Sequence, residues 1–124
     1  MKTLHHSLAV PVVALCTLVQ MPASAQDLSA GKTVFAQCAA CHSIDGSIGV
    51  GPSLQGVVGR KSGTFAGFRY SRAMKDAGKT WDAKTLDAFL SDPQTAVPGN
   101  VMPFSGVPDE KQRAALIGYL QTLK

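Results

Sequence analysis

Cys38-Ala39-Ala40-Cys41-His42 constrains this chain more than any other stretch. Two thiols separated by two residues lie on one helical turn, where both can add to the two vinyl groups of a haem. A histidine directly after the second cysteine then lies under the iron as an axial ligand. A bare C-x-x-C also serves dithiol redox chemistry and zinc, so the rest of the chain has to separate these uses. A zinc module needs about four ligands, and beyond residue 25 Cys38, Cys41 and His42 are the only cysteines and histidine. A thioredoxin-like site needs a βαβ setting, which is missing here. A chain carrying a covalent haem must fold around it, and that bounds the architecture.

The N-terminus reads as a cleavable export signal. Lys2 precedes an apolar run from Leu8 to Val19, broken only by Pro11 and Thr17, and Ala23-Ser24-Ala25 is an A-x-A cleavage site. The run is too short to span a bilayer comfortably. Leu15, before Cys16, is bulkier than a lipoprotein signal wants, and the absence of a twin arginine suits export of an unfolded chain. Residues 1–25 are therefore expected to be removed and residues 26–124 to form one periplasmic domain without stable membrane insertion. A domain of that size has a modest core and gains from a covalent cofactor. With 12 Lys and Arg against 8 Asp and Glu the formal charge is +4. Such a balance lacks the dense basic stripe of a nucleic-acid binder.

Periodicity is helical wherever it is clear. A first helix is expected over Ser29 to Ala40, with Val34 and Phe35 on one side, leading into the cysteine motif. Ser43 to Gly67 is glycine-rich and reads as loop. Ser71 can cap a short turn to Ala77, with Gly78 as its stop. Asp82 opens a helix with Leu86, Phe89 and Leu90 at core spacing, ended by Pro93. Val97 to Pro108 reads as loop again. Asp109 and Gln112 resemble a capping box before a last helix striped with Leu116, Tyr119, Leu120 and Leu123. No stretch alternates with period two for long. The expected class is all-α, with loops long enough to require something to wrap around.

The order and spacing of GKTVFAQCAACH, GPSLQGVVGRKSG, GFRYS, TW and PGNVMPF give the chain a close resemblance to the class I cytochromes c, of the bacterial kind related to mitochondrial cytochrome c. It runs from Gly31 to Lys124. The resemblance implies a small cytochrome c fold around one haem c attached through Cys38 and Cys41. It implies Met102 as the second axial ligand beside His42, with the Pro52 carbonyl accepting the imidazole proton. It further implies that Gly31 and Phe35 pack against Leu116 and Tyr119, and that Arg60, Tyr70 and Trp81 surround the haem propionates. Each role has a physical reason. A carbonyl on the imidazole fixes ring orientation and tautomer, glycine lets two helices approach closely, and buried carboxylates need donors or a cation.

The residues also bear on the ligand without the resemblance. Met74 and Met102 are the only methionines beyond residue 25. A methionine is ordinarily core filler. Met74 falls in a helical turn near Arg72 and Lys75, whereas Met102 stands in a loop bracketed by Pro98-Gly99 and Pro103, which favours Met102. A thioether stabilises ferrous iron, and two strong axial ligands leave no open coordination site, which points to electron transfer rather than catalysis. The implied partners are redox proteins: membrane cytochrome complexes, oxidases or periplasmic dehydrogenases, met as a monomer. A narrower alternative is the dedicated electron-accepting subunit of one periplasmic dehydrogenase. Two departures from the family pattern are legible. Met74 and Phe89 stand where relatives commonly carry asparagine and tyrosine, implying a drier Met102 side with Asn100 as one remaining polar partner. Around the haem edge Gln37, Gln94, Thr95 and Val101 replace lysines. Val101, Pro103, Phe104 and Val107 are expected to offer apolar contact there, and positive charge gathers between Arg60 and Lys84.

Overall fold

The computed structural model describes residues 23–124; residues 1–22, which carry most of the expected export signal, lie outside the described residues. Among the described residues there are five α-helices: α1 (Ala23–Phe35), α2 (Arg72–Asp76), α3 (Ala83–Ser91), α4 (Pro93–Ala96) and α5 (Glu110–Leu120). The only β pairing among them is one antiparallel bridge between Lys61 and Thr80. The class is all-α, as the periodicity requires.

Local chemistry sets the helix ends. Ser71 caps α2 by accepting from the Met74 N–H at 3.2 Å. Asp82 caps α3 in a reciprocal box: its carboxylate accepts from the Thr85 N–H at 2.8 Å while the Asp82 N–H donates to the Thr85 hydroxyl at 2.9 Å. Asp109 accepts from the Gln112 N–H at 2.7 Å to start α5. Two boundaries differ from the sequence reading. The first helix begins at Ala23 and ends at Phe35 rather than running from Ser29 to Ala40. Beyond Phe35 the chain tightens into successive i→i−3 turns, with Cys38 N–H on the Phe35 carbonyl at 2.8 Å and Cys41 N–H on the Cys38 carbonyl at 3.1 Å. Pro93, expected only to stop α3, also starts α4. Asp92 accepts from the Thr95 N–H, and a proline at the first helical position gives up a donor that would be unpaired anyway.

Helices α1 and α5 cross at Gly31. A Cβ built there would collide with the Ala115 carbonyl oxygen and lie 2.7 Å from Tyr119 Cβ, so only glycine permits the approach. Next to it the Phe35 and Tyr119 rings tilt together with centroids 5.3 Å apart. Leu116 is wholly buried in this crossing, a burial that stabilises the fold by about 1.5–3 kcal/mol. The core continues through Val34, Ile117 and Leu120 to Trp81, Leu86, Phe89 and Leu90, and to Val57, Val97 and Val107 from the loops. A buried cation braces it. Arg113 pairs through Nε with Asp87 Oδ1 at 2.9 Å, tying α5 to α3, and donates through Nη1 to the carbonyls of Val107 and Pro108 at 3.0 and 2.8 Å. Opposite, a clasp closes the segment between residues 60 and 81. Trp81 N–H donates to the Arg60 carbonyl at 2.9 Å, Gly59 N–H to the Trp81 carbonyl at 2.7 Å, and Ser62 N–H to the Lys79 carbonyl at 2.8 Å.

Candidate functional site

These elements enclose a cleft of about 270 Å³ whose walls are mostly apolar: Leu54, Val57, Leu86, Phe89, Leu90 and Phe104. Cys38, Cys41, His42, Pro52, Arg60, Tyr70, Trp81 and Met102 all line it, so the eight residues expected to bind the haem open onto the same space. Met74 lines it too.

His42 sits at the end of the tightened turns. Its Nδ1 lies 2.7 Å from the Pro52 carbonyl oxygen. A carbonyl can only accept, so Nδ1 carries the proton and Nε2 keeps a free lone pair. Gly51 makes the approach possible, because a Cβ there would lie 2.5 Å from the imidazole Cε1. Gly51 N–H also donates to the Cys41 carbonyl at 2.8 Å, closing the loop back on the motif. Cys38 and Cys41 stand half-buried on the cleft wall and are not joined in a disulfide. Burial, helped by the nearby Cys41, pushes the Cys38 thiol up, so a thiolate is disfavoured there while an uncharged thioether is not.

The opposite character gathers around Arg60. The clasp holds it half-buried, with Nη2 donating to the Ser53 carbonyl at 2.9 Å and Nη1 to the Gln55 carbonyl at 3.3 Å. Its guanidinium carbon lies 4.9 Å from the Phe65 ring centre. Burial pulls the guanidinium below its usual value, with Tyr70 acting weakly the other way. Among the described residues no carboxylate pairs with Arg60, since the one ion pair is Arg113–Asp87. Tyr70 accepts from the Phe65 N–H at 3.2 Å, which leaves its hydroxyl proton to donate elsewhere. Trp81 is buried against Phe89 at 5.0 Å between ring centres. An apolar slot with a partly desolvated, unpaired cation and a free hydroxyl donor fits a flat macrocycle that carries carboxylates on one edge. The residues present therefore fit a haem.

Met102 stands in the loop between α4 and α5. Its N–H donates to Asn100 Oδ1 at 3.0 Å, and its carbonyl accepts from the Phe104 N–H at 2.9 Å. Asn100 is 6% exposed and spends both side-chain donors on the Pro93 and Val97 carbonyls, so it has no donor left for a water beside Met102. The sequence reading missed this role, for which the signal was an asparagine between a Pro-Gly turn and the methionine. It missed Arg113 as well. Val107, expected at the haem edge, is instead 2% exposed, because its N–H is drawn onto the Leu90 carbonyl at 2.7 Å. Val101 and Val50 do stand out at the cleft rim, 76% and 73% exposed.

A helical, loop-wrapped chain enclosing a Cys-x-x-Cys-His cleft defines a covalent haem protein of the class I type. The family model for cytochrome c matches residues 28–124. Cytochrome c2 iso-2 of Magnetospirillum molischianum is 50% identical over 91 residues, covering 73% of this chain and 94% of that protein. Cytochrome c of Tetrahymena pyriformis is 48% identical over 98 residues, covering 78% and 89% respectively. Among solved structures, cytochrome cH from Methylobacterium extorquens superposes with a TM-score of 0.75 at 45% identity, over 77% of this chain and 98% of its own. The chain belongs to the cytochrome c family. It is a monohaem electron carrier, not an enzyme, and Cys38 and Cys41 are the attachment points of its haem c.

Proposed function

We propose that His42 Nε2 and the Met102 thioether are the two axial ligands, and that the protein carries single electrons between periplasmic redox partners. The haem supplies a one-electron couple between ferric and ferrous iron. The observation that carries the reading is the 2.7 Å contact from His42 Nδ1 to the Pro52 carbonyl, which leaves Nε2 as the one imidazole atom free to ligate and strengthens it as a donor. Met102 supplies a soft sulfur, which favours the ferrous state. It is preferred over Met74 because its peptide is held by hydrogen bonds on both sides in an irregular loop, while Met74 lies within α2. Arg60, Tyr70 and Trp81 receive the propionates, and the apolar walls exclude water from the rest of the group.

The rim then decides how partners meet the protein. Val50 and Val101 are exposed and uncharged beside Gln37 on the cleft lining, which suits a small apolar contact that dissociates quickly. Among the described residues no helix is long and apolar enough to cross a membrane, and the expected export signal supports a periplasmic monomer. The ferric thioether absorption band tests the ligand set. It is expected to vanish in Met102→Ala and to persist in Met74→Ala; the reverse pattern would make Met74 the ligand.

A further inference from the structure

Asn100, at the cleft, uses every polar group of its side chain. A carboxamide has two donor hydrogens and one acceptor oxygen. Here Nδ2 donates to the Pro93 carbonyl at 2.8 Å and to the Val97 carbonyl at 2.9 Å, and Oδ1 accepts the Met102 N–H at 3.0 Å. The main chain of the same residue is used as fully: its N–H donates to the Val97 carbonyl at 3.1 Å, and its carbonyl accepts from Gln94 Nε2 at 2.9 Å. The Pro93 carbonyl already receives the Val97 N–H that closes α4, so Asn100 reaches the end of that short helix and joins it to the methionine peptide. The two bonds from Nδ2 are buried, where an unpaired polar group is costly and a paired one holds geometry, and the bonds to Met102 and Gln94 are partly so.

We propose that Asn100 is the positioning residue for Met102: it fixes the peptide from which the thioether projects, and so sets how readily the sulfur leaves the iron. The proposal rests on Met102 being the ligand. Because both side-chain donors of Asn100 are spent on carbonyls, its action is on the backbone of Met102 and not on the sulfur itself. Removing the amide loosens the stretch from Val97 to Met102, leaving the Gln94 brace on the Asn100 carbonyl to tie it to α4, and leaves the half-buried Met102 N–H without its acceptor. The closed arrangement then loses population to arrangements in which an added ligand can reach the iron, and the apparent affinity for that ligand rises in proportion.

The test uses the haem-loaded protein in its ferric form, titrated with imidazole and followed by loss of the thioether band. Asn100→Ala is expected to bind imidazole about tenfold more tightly, the effect of roughly one net buried hydrogen bond. Asn100→Ser, which keeps one hydroxyl, falls between it and the unaltered protein. Gln94→Ala removes only the outer brace from an exposed side chain, and an increase of about two- to threefold is expected. Ile117→Ala is the control, since it loosens a buried contact of α5 that does not line the cleft. If imidazole affinity in Asn100→Ala rises no more than in Ile117→Ala, the positioning role is overturned. Should Asn100→Ala fail to assemble, the serine and Gln94 variants decide by the same comparison. The underlying ligation fails in a different way: the thioether band would be absent from the unaltered protein or would survive Met102→Ala.

Discussion

Replacing Gly31 by alanine tests the crossing of α1 and α5 most directly. The added Cβ meets the Ala115 carbonyl oxygen, lies 2.8 Å from the Ala115 carbonyl carbon and 2.7 Å from Tyr119 Cβ. Ordinary contact begins near 3.4 Å, so the Tyr119 approach alone requires α1 to retreat by about 0.7 Å. None of these atoms is the end of a flexible side chain, so the strain cannot be relieved by a rotamer. Overpacking of this kind costs about 1–3 kcal/mol, and loosening the Phe35–Tyr119 pair adds about 0.5–1.5 kcal/mol. The better helix propensity of alanine returns about 1 kcal/mol. The expected net loss is about 0.5–3.5 kcal/mol, and its central value of about 2 kcal/mol lowers the Tm of a domain this size by about 8–16 °C. Gly118 supplies the opposite case within α5, because a Cβ there meets nothing within 4 Å. Gly118→Ala should therefore stabilise by about 0.5–1 kcal/mol. Thermal unfolding of both ferric variants, followed by far-UV circular dichroism, is the assay. Equal stability of Gly31→Ala and the unaltered protein would refute the close-approach argument, as would a comparable loss in Gly118→Ala.

Arg113→Leu leaves the Val107 and Pro108 carbonyls without their shared donor and is expected to cost about 2–3 kcal/mol in denaturant unfolding. Asp87→Ala removes only the half-exposed partner and is expected to cost about 0.5–1 kcal/mol; equal losses would mean that Arg113 acts through its ion pair alone. Asp82 and Asp92 both sit below the ordinary carboxylate value, Asp82 chiefly through the Thr85 N–H and Asp92 chiefly through the Thr95 hydroxyl. Their folded-state pKa is depressed, so their contribution is complete above the unfolded value of about 3.9 and disappears as pH falls through the lower folded value. Asp82→Asn and Asp92→Asn should flatten the acid side of the Tm–pH curve, and an unchanged slope in the double variant would contradict the assignment. Electron transfer with the native partner should slow only modestly between low and high salt, because the rim residues Val50 and Val101 carry no charge. A steep fall in stopped-flow rate would assign docking to the basic surface between Arg60 and Lys84.

Much of this was legible from residue chemistry. Cys38, Cys41 and His42 point to a haem once the rest of the chain is seen to lack further zinc ligands and a βαβ setting, and Ser71, Asp82 and Asp109 mark helix starts because each is a short side chain with an acceptor oxygen. Leu86, Phe89 and Leu90 lie where helical spacing puts them, all buried. What escaped reading depends on partners distant in sequence. Arg113 looks like a surface cation until α3 brings Asp87 beside it and the loop presents two carbonyls. Val107 looks like a loop residue free to face outward until its N–H pairs with Leu90. Ile117 was omitted from the last helix's stripe yet is buried, while Leu123 lies beyond the end of α5. Pro93 carried two signals at once, a stop for α3 and, with Asp92 before it, a start for α4.

The clasp at residues 59–62 and 79–81 has a consequence for tolerance to added length. It anchors both ends of the intervening segment with backbone hydrogen bonds that do not depend on what the segment contains. Closure entropy grows only with the logarithm of loop length, about 0.6 kcal/mol for a doubling. The exposed turn at Ala66 and Gly67, where Gly67 has φ +82°, is thus a place where extra chain can be spliced in while Arg60 and Trp81 stay at the base of the loop. Growth there leaves the base of the loop in place, but it separates Phe65 from Phe68 and Tyr70, so the length added has to spare the Phe65–Tyr70 hydrogen bond that steadies this part of the cleft wall.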